Sequence, residues 1–415
     1  MTRLVPWLAA VYVALLPFGR SGFPLNAQWC DLVFPLLALA VWMSDLPGRW
    51  VGRQDWALGA YLAVTLVTAL ASPEPGTGLG HLAKQLYVAA VFLVFRGLSR
   101  DAPATARLRE ILVIMFSATA VISLAVVLVG IPAFGPPSLL GTSDRLPFFG
   151  LTKRLRGGLV TPEMLGNVLL VAMVLSLAFR ETGTRRGRSL WTMAALVLAV
   201  AEFFTFSHSV AGFAVATALF VSPSLRYGVL RIAILAGAIL VVLTVNAASV
   251  IEPGPARNDY GVGPVSLEVA GVRIDGQLNH YAALKSVAWF TFLDEPLTGI
   301  GPGRFPSATE RAFREGRINA RYRDKPAQSD LMGRLAESGI LGGLSLVWLW
   351  TSWLRLRPGE FATMEPARRA AFAAVVGLLV NSLNADIMNF RFLWLALAWA
   401  LTPPPGASAK AFSRD

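Results

Sequence analysis

Apolar residues run along this chain in long blocks, with polar and basic residues gathered in the gaps between them. Twelve blocks read as membrane-spanning helices: Leu4–Phe18, Phe23–Met43, Trp56–Ala71, Leu79–Phe95, Ile111–Ile131, Pro162–Phe179, Leu190–Phe206, Val210–Val221, Val229–Val245, Arg334–Trp353, Ala370–Leu383 and Phe392–Leu401. Crossing a hydrocarbon core takes roughly 20 mostly apolar residues. The eighth, eleventh and twelfth blocks fall short of that, which points to tilted or protein-lined helices. The pattern predicts an all-α polytopic membrane protein of about twelve transmembrane helices with one long, partly helical loop. In that division, residues 1–245 carry spans one to nine, 246–333 the loop, 334–402 spans ten to twelve and 403–415 a tail.

Composition supports lipid as the solvent. Of the 415 residues, 55% are hydrophobic and only 15% charged, and the mean hydropathy is +0.56. A soluble domain that apolar could not keep its surface in water. The first block leads into further spans without a small-residue cleavage site, so no cleavable signal peptide is expected. The single cysteine, Cys30, excludes an intrachain disulfide and reads as a packing residue.

The formal net charge of +12 raises the question of nucleic acid. No Lys/Arg-rich soluble module accompanies it, and the arginines flanking the spans account for much of the excess, so no nucleic-acid partner is expected. Threading twelve spans puts Arg49/Arg53, Arg96/Arg100/Arg107/Arg109, Arg180/Arg185/Arg186/Arg188, Arg226/Arg231 and Arg355/Arg357/Arg368/Arg369 on one side. By the positive-inside rule that side is cytoplasmic, and both termini join it.

Two extracytoplasmic segments depart from the rule. Residues Pro132–Thr161 hold Arg145, Lys153, Arg154 and Arg156 against only Asp144. The loop Asn246–Met332 holds ten basic and ten acidic residues, yet Arg304, Arg311, Arg314, Arg317, Arg321, Arg323 and Lys325 face only Glu310, Glu315 and Asp324. This is either a solvated helix face or a site for an anionic headgroup, and the planar guanidinium fork suits phosphate oxygens. Ser307-x-x-Glu310 after Pro306 has the spacing of a capping box that would start a helix, with Arg314, Arg317 and Arg321 on one face of it. Gly299, Gly301 and Gly303 either bring backbone N–H groups close to phosphate or serve a structural turn.

Four segments resemble the O-antigen ligase and O-antigen polymerase superfamily. Glu295-Pro-Leu-Thr-Gly-Ile-Gly-Pro-Gly-Arg-Phe305 is similar to that family's P-L-x-G-x-G-x-G-x-F stretch. Gln328-Ser-Asp-Leu-Met-Gly-Arg-Leu-Ala-Glu-Ser-Gly-Ile-Leu-Gly342 resembles its H-N-x-x-L-x-x-L-x-E-x-G-x-x-G run into a span. Arg154–Gly166 resembles its R-x-x-G…N-P-N-x-L-G opening of a helix, and Phe206–Ala211 sits where it often has S-R-x-x. The pieces occur in family order over roughly 190 residues, whereas the first 150 residues resemble the family only in hydropathy. Three positions differ. Gln328 stands at the family's histidine, His208 follows Ser207 where arginine is expected, and Asn279-His280-Tyr281 lies about where another arginine occurs, with Lys285 one turn on.

The resemblance implies a multi-pass protein of the bacterial inner membrane with a periplasmic active face. The implied partners are a polyprenyl-diphosphate-linked glycan donor, a glycan or lipid A–core acceptor, and the lipid bilayer. The implied reaction is glycosyl transfer to a hydroxyl. It needs cations for the departing diphosphate and a group to orient or deprotonate the hydroxyl. Candidate diphosphate ligands are Arg154, Arg156, Lys285 and Arg304, with Arg314, Arg317 and Arg321 second. Candidate catalytic groups are His280, His208 and Asp330, and Gln328 could orient a hydroxyl but take no proton. With no Asp-x-Asp signature and no His/Cys cluster, neither metal nor cofactor is expected. A flippase or transporter of lipid-linked glycans, or an inactive family member, is the alternative. Among intramembrane polar residues, Glu202 calls for a partner on a neighbouring span. His81 with Lys84 either reaches the headgroup region or snorkels. Asn381, Asn384, Asp386, Asn389 and Arg391 read as caps of the last hairpin.

Overall fold

The computed structural model describes residues 4–19, 28–44, 55–129, 140–146, 150–221, 265–269, 272–276, 280–318, 320–355 and 360–402. The expected span Val229–Val245, Arg226/Arg231 and the side chains of His280 and Arg321 lie outside the described residues.

The chain is a mostly helical membrane protein. Helices α1 (Leu4–Leu15), α2 (Trp29–Trp42), α3 (Trp56–Ala71), α4 (Pro75–Leu98) and α5 (Ala102–Leu124, continuing into a π-helical turn Ala125–Val129) come first. After β1 (Gly141–Leu146) and β2 (Gly150–Leu155) follow α6 (Pro162–Thr182), α7 (Arg185–Thr205) and α8 (Ser209–Val221). The loop region holds β3 (Val265–Val269), β4 (Val272–Gly276), α9 (His280–Asp294) and α10 (Phe305–Arg314). Helices α11 (Asp330–Leu354), α12 (Glu360–Thr363), α13 (Pro366–Asn381) and α14 (Arg391–Leu401) complete it. Among the described residues, four helices are long and apolar enough to cross a membrane: α4, α5 with its π turn, α6 and α7.

The helix ends follow local chemistry. Proline opens α4, α6 and α13, where its missing N–H costs nothing. The side chains of Asp101, Thr161, Thr184 and Ser329 cap α5, α6, α7 and α11. Helix α6 is the hub, 83% buried in its apolar window, whereas α7 is only 22% buried and turns most of its surface outward. Around α6 pack α5, α7, α8 and α13, and α14 bridges α13 to α4.

Polar contacts segregate to the two ends. At one end Arg96 pairs with Asp55, Arg109 with Glu365 at 3.6 Å and Arg369 with Glu181 at 2.7 Å. These arginines come from the sets that the sequence assigns to a single side. The opposite end gathers the α3–α4 turn, the α7–α8 turn, the 382–390 connection, β2 and the loop. There Arg391 holds Asp31 at 2.5 Å, tying α14 to α2.

The mostly helical plan expected from the sequence holds, with two short antiparallel hairpins, β1–β2 and β3–β4, beside it. Two expectations are corrected. The Ser307–Glu310 capping box does not form. The helix starts at Phe305, ahead of Ser307, and the Ser307 hydroxyl donates to Arg304 O at 2.7 Å. Nor do Arg314, Arg317 and Arg321 share a helix face, because α10 ends at Arg314 and Gly316, at φ +71°, turns the chain before Arg317.

Candidate functional site

The glycine turn at 299–303 joins the loop to the bundle. It lies against a break in α11 at Gly339, where φ is +63°. Across the break Ile300 N–H donates to Ala336 O at 3.1 Å, Gly301 N–H to Glu337 O at 2.9 Å and Ile340 N–H to Pro296 O at 2.8 Å. A Cβ on Gly339 would stand 2.3 Å from the Leu297 carbonyl carbon, and one on Gly299 2.4 Å from that of Glu337. The two backbones touch, so glycine is required on both sides. Gly299 N–H returns to Glu295 O at 3.0 Å. Gly303 N–H and, at 3.4 Å, Phe305 N–H donate to the Glu337 carboxylate. All three glycine amides therefore have protein acceptors. That corrects the phosphate-cradle expectation for Gly299, Gly301 and Gly303: the anion in this turn is the chain's own Glu337.

Beneath the turn, α3, α4, α11 and the 382–390 connection pool buried polar groups. Arg334 Nη1 donates to His81 Nε2 at 2.7 Å and to Glu337 Oε2 at 3.1 Å. An arginine N–H can only donate, so His81 Nε2 carries a lone pair and the ring is neutral with its proton on Nδ1. Gln85 donates to Asn389 Oδ1 at 3.1 Å, and Asn389 to Asp386 Oδ2 at 3.0 Å. Asp330 is buried, hydrogen-bonded to Asp386, and its carboxylate takes the N–H groups of Ile387 and Met388, both at 3.3 Å. Its place is that of a staple between α11 and the last connection.

A second cluster lies at the mouth of α6, α7 and α9. Arg154, at the end of β2, donates Nε to Thr205 O at 2.8 Å and Nη2 to Glu163 Oε1 at 2.7 Å. Glu163 is in the first turn of α6, where the helix dipole favours a carboxylate. His208, in the α7–α8 turn, stacks edge-to-face on Tyr281 at 4.5 Å. Lys285, one turn along α9 from Tyr281, donates to Asn384 Oδ1. Burial pushes His208 down to about 4, and the charges of Lys285 and Arg154 add to that against the opposing pull of Glu163. Burial alone brings Lys285 down to about 8. At neutral pH the cluster thus holds two cations, one carboxylate and a neutral imidazole, a surplus of one positive charge in a partly dehydrated place.

A buried polar layer adjoins it. Ser209 Oγ donates to Glu202 Oε1 at 2.6 Å and is hydrogen-bonded in turn to Ser207, which supplies the partner Glu202 called for. Asn381 links Asn167 at 2.8 Å and the Gly212 N–H at 2.9 Å. Gly166 leaves the room this needs, since a Cβ there would meet Ser209 Oγ at 1.9 Å.

The structure brings together Arg154, His208 and Lys285, from three distant parts of the sequence. Arg156 follows β2 and is half-buried. The loop arginines stand apart, each with a carboxylate: Arg304 with Glu74 at 2.9 Å, Arg314 with Glu310 at 2.8 Å and Arg317 with Glu315. Gln328 is half-buried at φ +55°, and its side chain makes no hydrogen bond among the described residues. Sequence reasoning passed over Glu163 as a partner, although a carboxylate just after Thr-Pro at a helix start was the available signal. No protein-family model and no curated protein sequence matches the chain.

Proposed function

We propose that the protein is a metal-independent membrane glycosyltransferase of the O-antigen ligase or polymerase type. It joins a glycan from a polyprenyl-diphosphate carrier to a hydroxyl acceptor, in surface polysaccharide or lipopolysaccharide assembly. In this reading the chain crosses the bacterial inner membrane twelve times, with both termini cytoplasmic and the site periplasmic. The observation that carries the reading is the convergence of Arg154, His208 and Lys285 with one net positive charge. Further support comes from the family-like segments at 154–166, 206–211, 295–305 and 328–342, which meet at the same end of the bundle.

The chemistry follows from the charges. The acceptor oxygen forms a bond to the anomeric carbon as the bond from that carbon to the diphosphate oxygen breaks. The electron pair leaves with the polyprenyl diphosphate, whose growing negative charge Lys285 and Arg154 stabilise. The hydroxyl proton passes to neutral His208, which is within reach of both cations. Glu163 holds Arg154 in place and limits the surplus charge.

Purified protein in vesicles, given a polyprenyl-diphosphate-linked oligosaccharide and a hydroxyl acceptor, is expected to form the new glycosidic bond. Lys285→Ala and Arg154→Ala are each expected to lower the rate by about 10²-fold or more. Movement of donor between leaflets without bond formation would overturn the reading in favour of a transporter. Absence of both would point to an inactive family member.

A further inference from the structure

Helix α9 is apolar on two faces. One face buries Ala283, Leu284 and Val287 in the small core of the loop, against Phe305 and Ala308. The other presents Trp289, Phe290 and Leu293, 44%, 52% and 53% exposed, and the turn that follows adds Leu297 at 69%. Such a patch on a water-facing loop would be an aggregation site. Its surroundings identify what covers it. Leu297 abuts the break in α11 at Gly339, and from there α11 carries Ile340, Leu344 and Trp348 outward, one helical turn apart and all exposed. Beyond the break, α11 runs unbroken from Ile340 to Leu354, about 22 Å at the helical rise. The exposed apolar face of α9 thus leads through Leu297 to the exposed apolar strip of α11.

The charges set its depth. Asp294 and Glu295 close α9 and are exposed, and Asp294 faces Arg311 at 4.0 Å. That end belongs at the level of water and headgroups, and an amphipathic tryptophan suits the same level. We propose that α9 lies in the bilayer interface on the Lys285 side, with Trp289, Phe290, Leu293 and Leu297 among the acyl chains. Lys285, one turn before Trp289, then stands at the headgroup level of that leaflet, where a membrane-borne phosphate reaches it sideways without leaving the lipid. This last consequence rests on the proposed function, whereas insertion of the helix does not.

The only cysteine of the chain, Cys30, is buried. In a Cys30→Ser background, Phe290→Cys and Leu293→Cys are labelled with an environment-sensitive fluorophore, with Arg314→Cys as the water-facing control. The proteins are reconstituted in phosphatidylethanolamine–phosphatidylglycerol vesicles carrying a shallow spin-labelled lipid. The expected result is blue-shifted emission at 290 and 293, lost to the spin-labelled lipid and insensitive to iodide, with the reverse at 314. Quenching by iodide alone places the face in water and overturns the proposal. Shielding from both quenchers means that protein covers the face, and overturns it equally. Should the variants not fold, the unmodified protein is photolabelled in vesicles containing a diazirine-tailed phosphatidylcholine. Adducts within residues 281–297 are expected. Adducts confined to the α11 segment around Leu344 and Trp348 would reject insertion. None of these outcomes alters the glycosyl-transfer assay, so the two readings fail separately.

Discussion

Arginine dominates the polar side of this protein, yet its arginines do different work. Arg314 and Arg317 lie exposed beside carboxylates of their own loop, and such pairs contribute on the order of 0.5 kcal/mol. Arg314→Ala and Arg317→Ala are expected to leave both thermal stability and transfer rate nearly unchanged, as a melting curve and a rate assay would show. Arg154 is nearly buried and hydrogen-bonded to Thr205 O and Glu163, so its removal strands a carboxylate at the mouth of α6. Glu163→Gln should retain the fold but raise the surplus positive charge. Its expected signature is tighter binding of inorganic diphosphate, measured by competition with the donor. Lys285 adds a pH dependence. Its ammonium has a pKa of about 8 in the folded protein against an ordinary 10.5. Between those values the unfolded chain binds more protons, so this residue makes stability rise with pH across the window. Activity that needs the charged form falls as pH passes about 8. Lys285→Arg should abolish that fall in a pH–rate profile, because guanidinium stays charged.

At the scale of elements, the break in α11 is the feature on which the loop depends. Gly339 has φ +63° and ψ −159°, a conformation essentially reserved for glycine, and Leu297 fills the space beside it. Gly339→Ala is expected to cost about 3 kcal/mol, read as a lowered Tm, with the loop opened to protease before the bundle melts. Most helices could be read from the sequence: Trp56–Ala71 has the same bounds in the structure, and α7, α8 and α14 differ by a few residues. Uninterrupted apolar blocks in lipid leave little other choice, since a helix satisfies its own backbone groups. The site was less legible. Arg154, His208 and Lys285 could be named, but spacing within one segment carries no information about which cations meet across 50 or 130 residues. The loop arginines looked like a cluster by count, yet Arg314 and Arg317 are answered by Glu310 and Glu315 nearby in the chain, and Arg304 by the distant Glu74. The glycine turn misled for a related reason: the acceptor of its amides, Glu337, lies more than thirty residues away.

For the whole molecule, the proposed orientation can be measured. Reporter domains fused after Asp415 are expected on the cytoplasmic side, and a cysteine placed at Arg314 in a Cys30→Ser background is expected to react with an impermeant maleimide from outside. The opposite accessibility would invert the topology. One consequence concerns the order in which the chain is made. The turn at 296–303 takes its backbone partners from Ala336, Glu337 and Ile340, and Arg304 takes its carboxylate from Glu74. Everything between must be synthesised before that seam can close. A nascent chain stalled short of residue 330 would carry α9 without its seat.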